Sequence, residues 1–182
     1  MGQAIIQPSR MRRAFNGWCH GLFAGQYFER VLNLGCGHDY DRQGYMYSGY
    51  FDAKEVVRVD ITDKMQYPEH EVCLCGRSQV SMPVNVIARA EDLSAFDNES
   101  FDMVFCNWVI YHCDVPKAVN EICRVLKPAG KLYVSYHCAK EDHAIYRIIA
   151  ERLNILARTY LNMDRMLDGM DWLAEALWTQ KK

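Results

Sequence analysis

Short apolar runs alternate along this chain with longer mixed stretches, and each run stops at a turn residue or an acid. Val31-Leu32-Asn33-Leu34 ends at Gly35-Cys36-Gly37, and Val56-Val57-Arg58-Val59 ends at Asp60. Val84-Asn85-Val86-Ile87-Ala88, Phe101-Asp102-Met103-Val104-Phe105-Cys106 and Lys131-Leu132-Tyr133-Val134-Ser135-Tyr136 follow in the same manner. Runs this short, bounded by turn signals, read as buried strands rather than helices. The pattern therefore predicts strands over 30–34, 56–60, 84–88, 101–106 and 131–136.

Helical spacing fills the intervals. Met11, Ala14, Phe15, Trp18, Leu22 and Phe23 recur at three- and four-residue steps, which predicts a helix over 9–29 with Ser9 as its N-cap. Val115, Val119, Ile122, Cys123 and Leu126 line one face of a helix over 115–126, stopped by Lys127-Pro128-Ala129-Gly130. Residues 38–54 read as a loop, and residues 62–83, with Pro68, Gly76 and Pro83, as an irregular connection. Residues 139–178 read as helical throughout, broken near Asn162–Asp164 or at Gly169. Strands alternating with helices give a doubly wound α/β fold with a mainly parallel sheet. One domain is expected over 1–182: an N-terminal helix (1–29), a core (30–137) and C-terminal helices (138–182), with no closing β-hairpin.

Composition narrows the class. Half of the 182 residues are hydrophobic and the net charge is −2, so the chain is globular and carries no general attraction for nucleic acid or anionic membrane. No apolar stretch approaches the ~20 residues that span a bilayer, and the N-terminus lacks a signal-peptide pattern, so a cytoplasmic location is expected. Among eight cysteines, Cys36, Cys106 and Cys123 sit in apolar patterns and read as small hydrophobes. His70, Cys73 and Cys75 cluster without the paired Cys-x-x-Cys spacing of zinc sites, so no metal is expected.

Ligands of such folds sit outside the carboxyl ends of the strands, where Gly35, Gly37, Asp60, Asn107 and His137 converge. Glycine suits a sharp turn with close backbone approach of a ligand. An acid about twenty residues past such a turn is placed to accept from ribose hydroxyls. The dinucleotide fingerprint would put a third glycine at position 40, which is Tyr40.

Leu32-Asn33-Leu34-Gly35-Cys36-Gly37 and Val59-Asp60 resemble motifs I and II of class I S-adenosylmethionine-dependent methyltransferases. Ala90-Glu91-Asp92-Leu93, Asp97-Asn98-Glu99-Ser100-Phe101-Asp102-Met103-Val104 and the run from Glu121 to Leu132 resemble later parts of that family in the correct order. The resemblance implies S-adenosylmethionine as cofactor. It places Asn33, Gly35, Cys36 and Gly37 under the cofactor's methionine part, and Asp60, followed by Ile61, at the ribose. Ala90, Glu91 and Asp92 would lie at the adenine, with Leu93 packing on the ring, and Asn107 and Trp108 would line the methionine end and the acceptor entrance. The chain departs from the family pattern at Asn33, Asp39 and Arg89, where an acid, a glycine and an aspartate are commoner.

Methyl transfer from a sulfonium needs positioning and, for a protonated acceptor, a base. His112 is the first candidate base, His137 the second and Tyr111 an orienting partner. Tyr40, Tyr45, Tyr47, Tyr50 and Phe51 either cover the cofactor or pack locally. Trp172 and Trp178 with Leu167, Leu173 and Leu177 form an apolar helical face for the core or a homodimer contact. Asn107-Trp108-Val109-Ile110 lacks the double proline of nucleic-acid amino methyltransferases, so a small-molecule or other non-nucleic-acid acceptor is expected. The alternative is a non-catalytic binding module with a degenerate methyltransferase fold.

Overall fold

The computed structural model describes residues 18, 21–36, 52–62, 84–139, 143–163 and 172–182. Their centre is a seven-stranded sheet in the order β3-β2-β1-β4-β5-β7-β6. The strands are β1 (Tyr27–Leu34), β2 (Asp52–Asp60), β3 (Val86–Ile87), β4 (Phe101–Asn107), β5 (Leu126–Ala139), β6 (Leu153–Met163) and β7 (Trp172–Lys181). β1 pairs in parallel with both β2 and β4, β2 with β3 and β4 with β5, so five carboxyl ends open on one edge. The order reverses at β1, beside β4, which is where doubly wound sheets place their ligands.

Two apolar layers sandwich the sheet. On one face Leu32, Leu34, Val59, Val104, Leu132 and Val134 pack against helix α1 (Val115–Val125) and helix α2 (Ala144–Arg152) through Val119, Ile122 and Ile149. Asp114 caps α1 by accepting from the Lys117 amide, and Pro116 occupies its first turn. On the other face Phe23, Val31, Phe105, Tyr133 and Trp178 cluster, with Phe105 stacked on Tyr133 at 4.8 Å. Arg124 of α1 ties the 93–98 turn to the helix: its guanidinium donates to the carbonyls of Leu93 and Phe96, to Asn98 Oδ1 and to Glu121.

Three expectations are corrected. The N-terminal helix does not reach residue 29: helical residues end at Phe23, Gly25 takes φ +71°, and Tyr27 already opens β1. Phe28 and Val31 turn into the second apolar cluster while the Arg30 amide donates to Asp102, so sheet pairing claims this segment. The closing strand pair is present, and among the described residues of the predicted C-terminal helices only Ala144–Arg152 is helical. β6 and β7 pair antiparallel with each other, and β7 with β5. Leu153–Tyr160 alternates buried or half-buried with exposed positions, the period of a strand.

β7 hides that period because Glu175, Ala176, Leu177, Trp178 and Thr179 are all buried between β5 and β6. Its leucines, alanines and glutamate favour helix in isolation, and burial in the sheet overrides them. Among the described residues the expected apolar helical face is a strand, with Leu177 in one apolar cluster and Trp178 in the other. Leu167 lies outside the described residues, as do Asp39, Tyr40, Tyr45, Tyr47, Tyr50, Phe51 and the His70, Cys73 and Cys75 cluster.

Glu175 is fully buried, accepting from Tyr136 Oη at 2.5 Å and from the Arg158 guanidinium of the outer strand. A paired and hydrogen-bonded carboxylate is the form in which a buried charge persists in a sheet. Among the described residues no helix is long and apolar enough to cross a membrane.

Candidate active site

The carboxyl ends of β1 and β2 are joined by backbone. The amides of Gly35 and Cys36 both donate to the Val59 carbonyl, at 2.8 and 3.0 Å, which folds the turn over β2. Gly35 has φ +69°, a region that a side-chain-bearing residue enters at a cost. A Cβ on Gly35 would lie 2.1 Å from Val109 Cγ2 and within 2.9 Å of Val109 Cβ. The glycine is thus required from inside the protein, by a valine following β4, as well as by the turn. Cys36 is buried, and Gly37 lies outside the described residues.

Asp60 ends β2 with its carboxylate on the open edge, where Oδ1 accepts from the Ile61 amide at 2.8 Å. Its carbonyl accepts from Ala88 and so fixes the end of β3. Ile61 and Ile87, at 61% and 60% exposure, leave apolar surface on either side of that carboxylate. Ile87 was not singled out in the sequence; an isoleucine at the carboxyl end of a short strand is the signal that marks it. Asn33 behaves differently. It stands two residues before the glycine turn, in register with Arg58 and Phe105, and is buried in the sheet at 1% exposure.

Ala90 is buried beyond β3 and Glu91 beside it is half-buried. Glu91 Oε1 accepts from the Asp114 amide at 3.0 Å, and Oε2 meets Arg89 Nε at 3.5 Å. Glu91 therefore brackets the loop after β3 to the start of α1. Asp92 is exposed and its Oδ1 accepts from the Ser94 amide, which serves the local turn. Leu93 is fully buried, its amide donating to Glu121.

Burial alone would raise the Glu91 carboxyl, but the Asp114 amide and the Arg89 guanidinium more than offset it and hold it below the ordinary value. A depressed folded-state value contributes stability above the unfolded value of about 4.3 and loses it as pH falls through the folded value. Glu91→Gln is accordingly expected to unfold at lower urea than the parent at neutral pH, with the gap closing towards about pH 3. A gap of equal size at both pH values would show that the charge of Glu91 contributes nothing.

Past β4, the chain turns through Trp108, at φ +60°, into a 3-10 turn over Ile110–His112. The turn gathers rings. Trp108 stacks on His137 with centroids 4.6 Å apart at 26°, Tyr111 meets His137 edge-on at 5.3 Å, and Tyr111 lies 4.1 Å from His112. Trp108, Tyr111 and His137 are half-buried and His112 is exposed. Asn107, the last residue of β4, accepts from the Ser135 hydroxyl of β5. Tyr111, His112, His137 and Trp108 thus form one cluster, and Gly35, Cys36 and Asp60 a second; Val109 joins them by touching the Gly35 turn. Val109 and Ser135 were missed in the sequence, although a serine inside the apolar run of β5 is a visible anomaly.

Burial pushes the Cys113 thiol up to about 11 and raises Cys106 further still, so neither ionises near neutrality.

A family model described as a methyltransferase domain matches residues 32–134, from the core of β1 to the middle of β5. The chain belongs to that methyltransferase domain family. Among its relatives is the uncharacterized methyltransferase YcgJ of Bacillus subtilis, 33% identical over 114 residues, covering 62% of this chain and 42% of that protein. A ubiquinone biosynthesis O-methyltransferase of Xanthomonas oryzae is 32% identical over 107 residues, covering 58% of this chain and 42% of that protein. The chain thus spans less than half the length of these curated relatives. The solved structure of the N-methyltransferase NodS from Bradyrhizobium japonicum, in complex with S-adenosyl-L-homocysteine, aligns with a TM-score of 0.63 at 14% identity. That alignment covers 94% of this chain and 88% of that one, a likeness of fold. The matched residues include the Gly35 turn, Asp60 and the end of β4 with its ring-bearing turn.

Proposed function

We propose that this domain is a class I S-adenosylmethionine-dependent methyltransferase acting on a small, non-nucleic-acid acceptor. The observation that carries the reading is the meeting, on one edge of the sheet, of the Gly35 turn, the Asp60 carboxylate and the imidazole-bearing ring cluster. Asp60 suits the vicinal hydroxyls of a ribose, and the apolar surfaces of Ile61 and Ile87 beside it suit a flat base. Ala90 and Glu91 close the same end, and Trp108 with Asn107 stands at the other. When bound, the cofactor supplies a methyl group on a positive sulfur, already activated for displacement.

This chain then has two tasks. It aligns the acceptor, for which the half-buried rings of Trp108 and Tyr111 offer a wall, and it removes the acceptor's proton as the new bond forms. His112 and His137 are the bases within the cluster, and Tyr111 touches both. One relative is named for O-methyl transfer and one fold neighbour for N-methyl transfer, so likeness alone does not choose the acceptor atom.

The test is transfer of a labelled methyl group to a panel of phenols, amines, carboxylic acids and thiols, with His112→Ala and His137→Ala compared on the best acceptor. Loss of the base should lower kcat by about 10²- to 10⁴-fold. Full turnover in both variants would overturn the assignment of an imidazole base.

A further inference from the structure

Trp108 holds a backbone conformation that a residue with a large side chain rarely adopts, at φ +60°. Such a conformation is strained and persists only where its surroundings over-determine it. The indole packs against the second apolar cluster and His137, and the backbone is held by Ser135 of β5. The Trp108 amide donates both to the Ser135 carbonyl at 3.0 Å and to the Ser135 hydroxyl at 3.2 Å. That hydroxyl in turn donates to Asn107 Oδ1, and Ser135 itself is fully buried. Asn107 and Ser135 are register partners across β4 and β5, so the bridge crosses the two strands where β4 ends.

Two residues further along β5, on the same face, stands His137, whose ring stacks on Trp108. The sequence places a hydroxyl inside an otherwise apolar stretch, Tyr133-Val134-Ser135-Tyr136. Packing alone would be served as well by alanine, and a buried hydroxyl that is bonded on both sides indicates a geometric duty.

We infer that Ser135 is a positioning residue of the acceptor site: it holds Trp108 in its left-handed conformation, and the stacked indole fixes the plane of the His137 imidazole. The inference rests on the reading of this edge as a methyltransferase site, and its structural half stands without it. Ser135 is fully buried, so its part in the site is to position its neighbours. Its loss leaves Glu91, Asp60 and the Gly35 turn in place and frees the His137 ring to turn away from the position in which it accepts a proton.

The experiment is proton NMR of the His137 imidazole in the full chain, together with S-adenosylhomocysteine titration and, where an acceptor is known, steady-state kinetics. An indole stacked on the imidazole shifts its carbon-bound protons upfield, and Trp108→Ala provides the unstacked reference. In Ser135→Ala the shift should collapse towards that reference, and Ser135→Thr, which keeps the hydroxyl, should retain it. Affinity for S-adenosylhomocysteine should stay within about twofold while kcat falls roughly ten- to a hundredfold, the cost of a misplaced reacting group.

A residue that only supported the fold would lower the melting temperature and leave the imidazole shift in place. An unchanged shift in folded Ser135→Ala overturns the proposal. Should that variant fail to fold, Asn107→Ala removes the acceptor that aims the hydroxyl, and the same collapse or persistence of the shift decides. If no acceptor is ever methylated, the NMR result still tests the bridge, so failure of the methyltransferase reading is seen separately.

Discussion

Replacing Gly35 by alanine is expected to lower stability by roughly 2–5 kcal/mol and to remove cofactor binding with it. Two costs add. Alanine at φ +69° pays the left-handed penalty, on the order of 1–3 kcal/mol. The new methyl would also overlap Val109, whose Cγ2 lies 2.1 Å away and whose Cβ lies 2.9 Å away. Rotating Val109 about its own χ1 does not clear the overlap, because its Cβ is itself too close. Either β1 or the segment after β4 must therefore move, and both are tied to the site: Gly35 through the Val59 carbonyl, Val109 through the 3-10 turn that carries Tyr111 and His112.

A double-mutant cycle separates the two costs. Val109→Ala in the Gly35→Ala background removes the two closest contacts and should restore about 1 kcal/mol or more, while the backbone penalty remains. Strictly additive effects in chemical denaturation would show that Val109 does not confine the turn.

Asp60→Ala should weaken S-adenosylmethionine and S-adenosylhomocysteine by about ten- to a hundredfold with little change in melting temperature. Hydrogen bonds to a charged acceptor contribute about 1.5–3 kcal/mol each, which sets that range. The strand-end bond from the Ala88 amide is accepted by the Asp60 carbonyl, which the substitution leaves in place, and the side chain's bond to the Ile61 amide is a local one. Asp60→Asn keeps the shape and loses the charge, so its affinity should fall between the two. Equal affinity in all three proteins would remove Asp60 from the ribose.

These two residues were legible in the sequence because each carries a local signature. A glycine ending an apolar run marks the turn, and an acid ending the next run marks the strand end opposite it. The same holds for α1, whose stripe of Val115, Val119, Ile122 and Cys123 matches the helical period, although Leu126, expected at its end, opens β5 instead. What escaped was set by partners distant in sequence. β7 is buried on both sides, so its apolar pattern is continuous rather than alternating, and its composition favours helix.

Tyr27, Phe28 and Glu29 entered β1 ahead of the expected start at residue 30, through pairing with β2 and packing of Phe28 into the second apolar cluster, and neither is announced by the local sequence. Val109 looked like an ordinary apolar residue until the Gly35 turn was seen against it. Asn33, expected at the cofactor, is buried within β1, two residues short of the turn and in register with Phe105. The fold was thus readable wherever period and turn coincided, and the candidate site residues that end a strand are the ones the sheet brings to one edge.

The central claim, that this edge of the sheet holds S-adenosylmethionine, is tested most directly by calorimetric titration of the chain with S-adenosylhomocysteine. The account predicts saturable binding at one site per chain, weakened in Asp60→Ala and absent in Gly35→Ala. No heat of binding at millimolar ligand, from a protein that unfolds cooperatively, would contradict it.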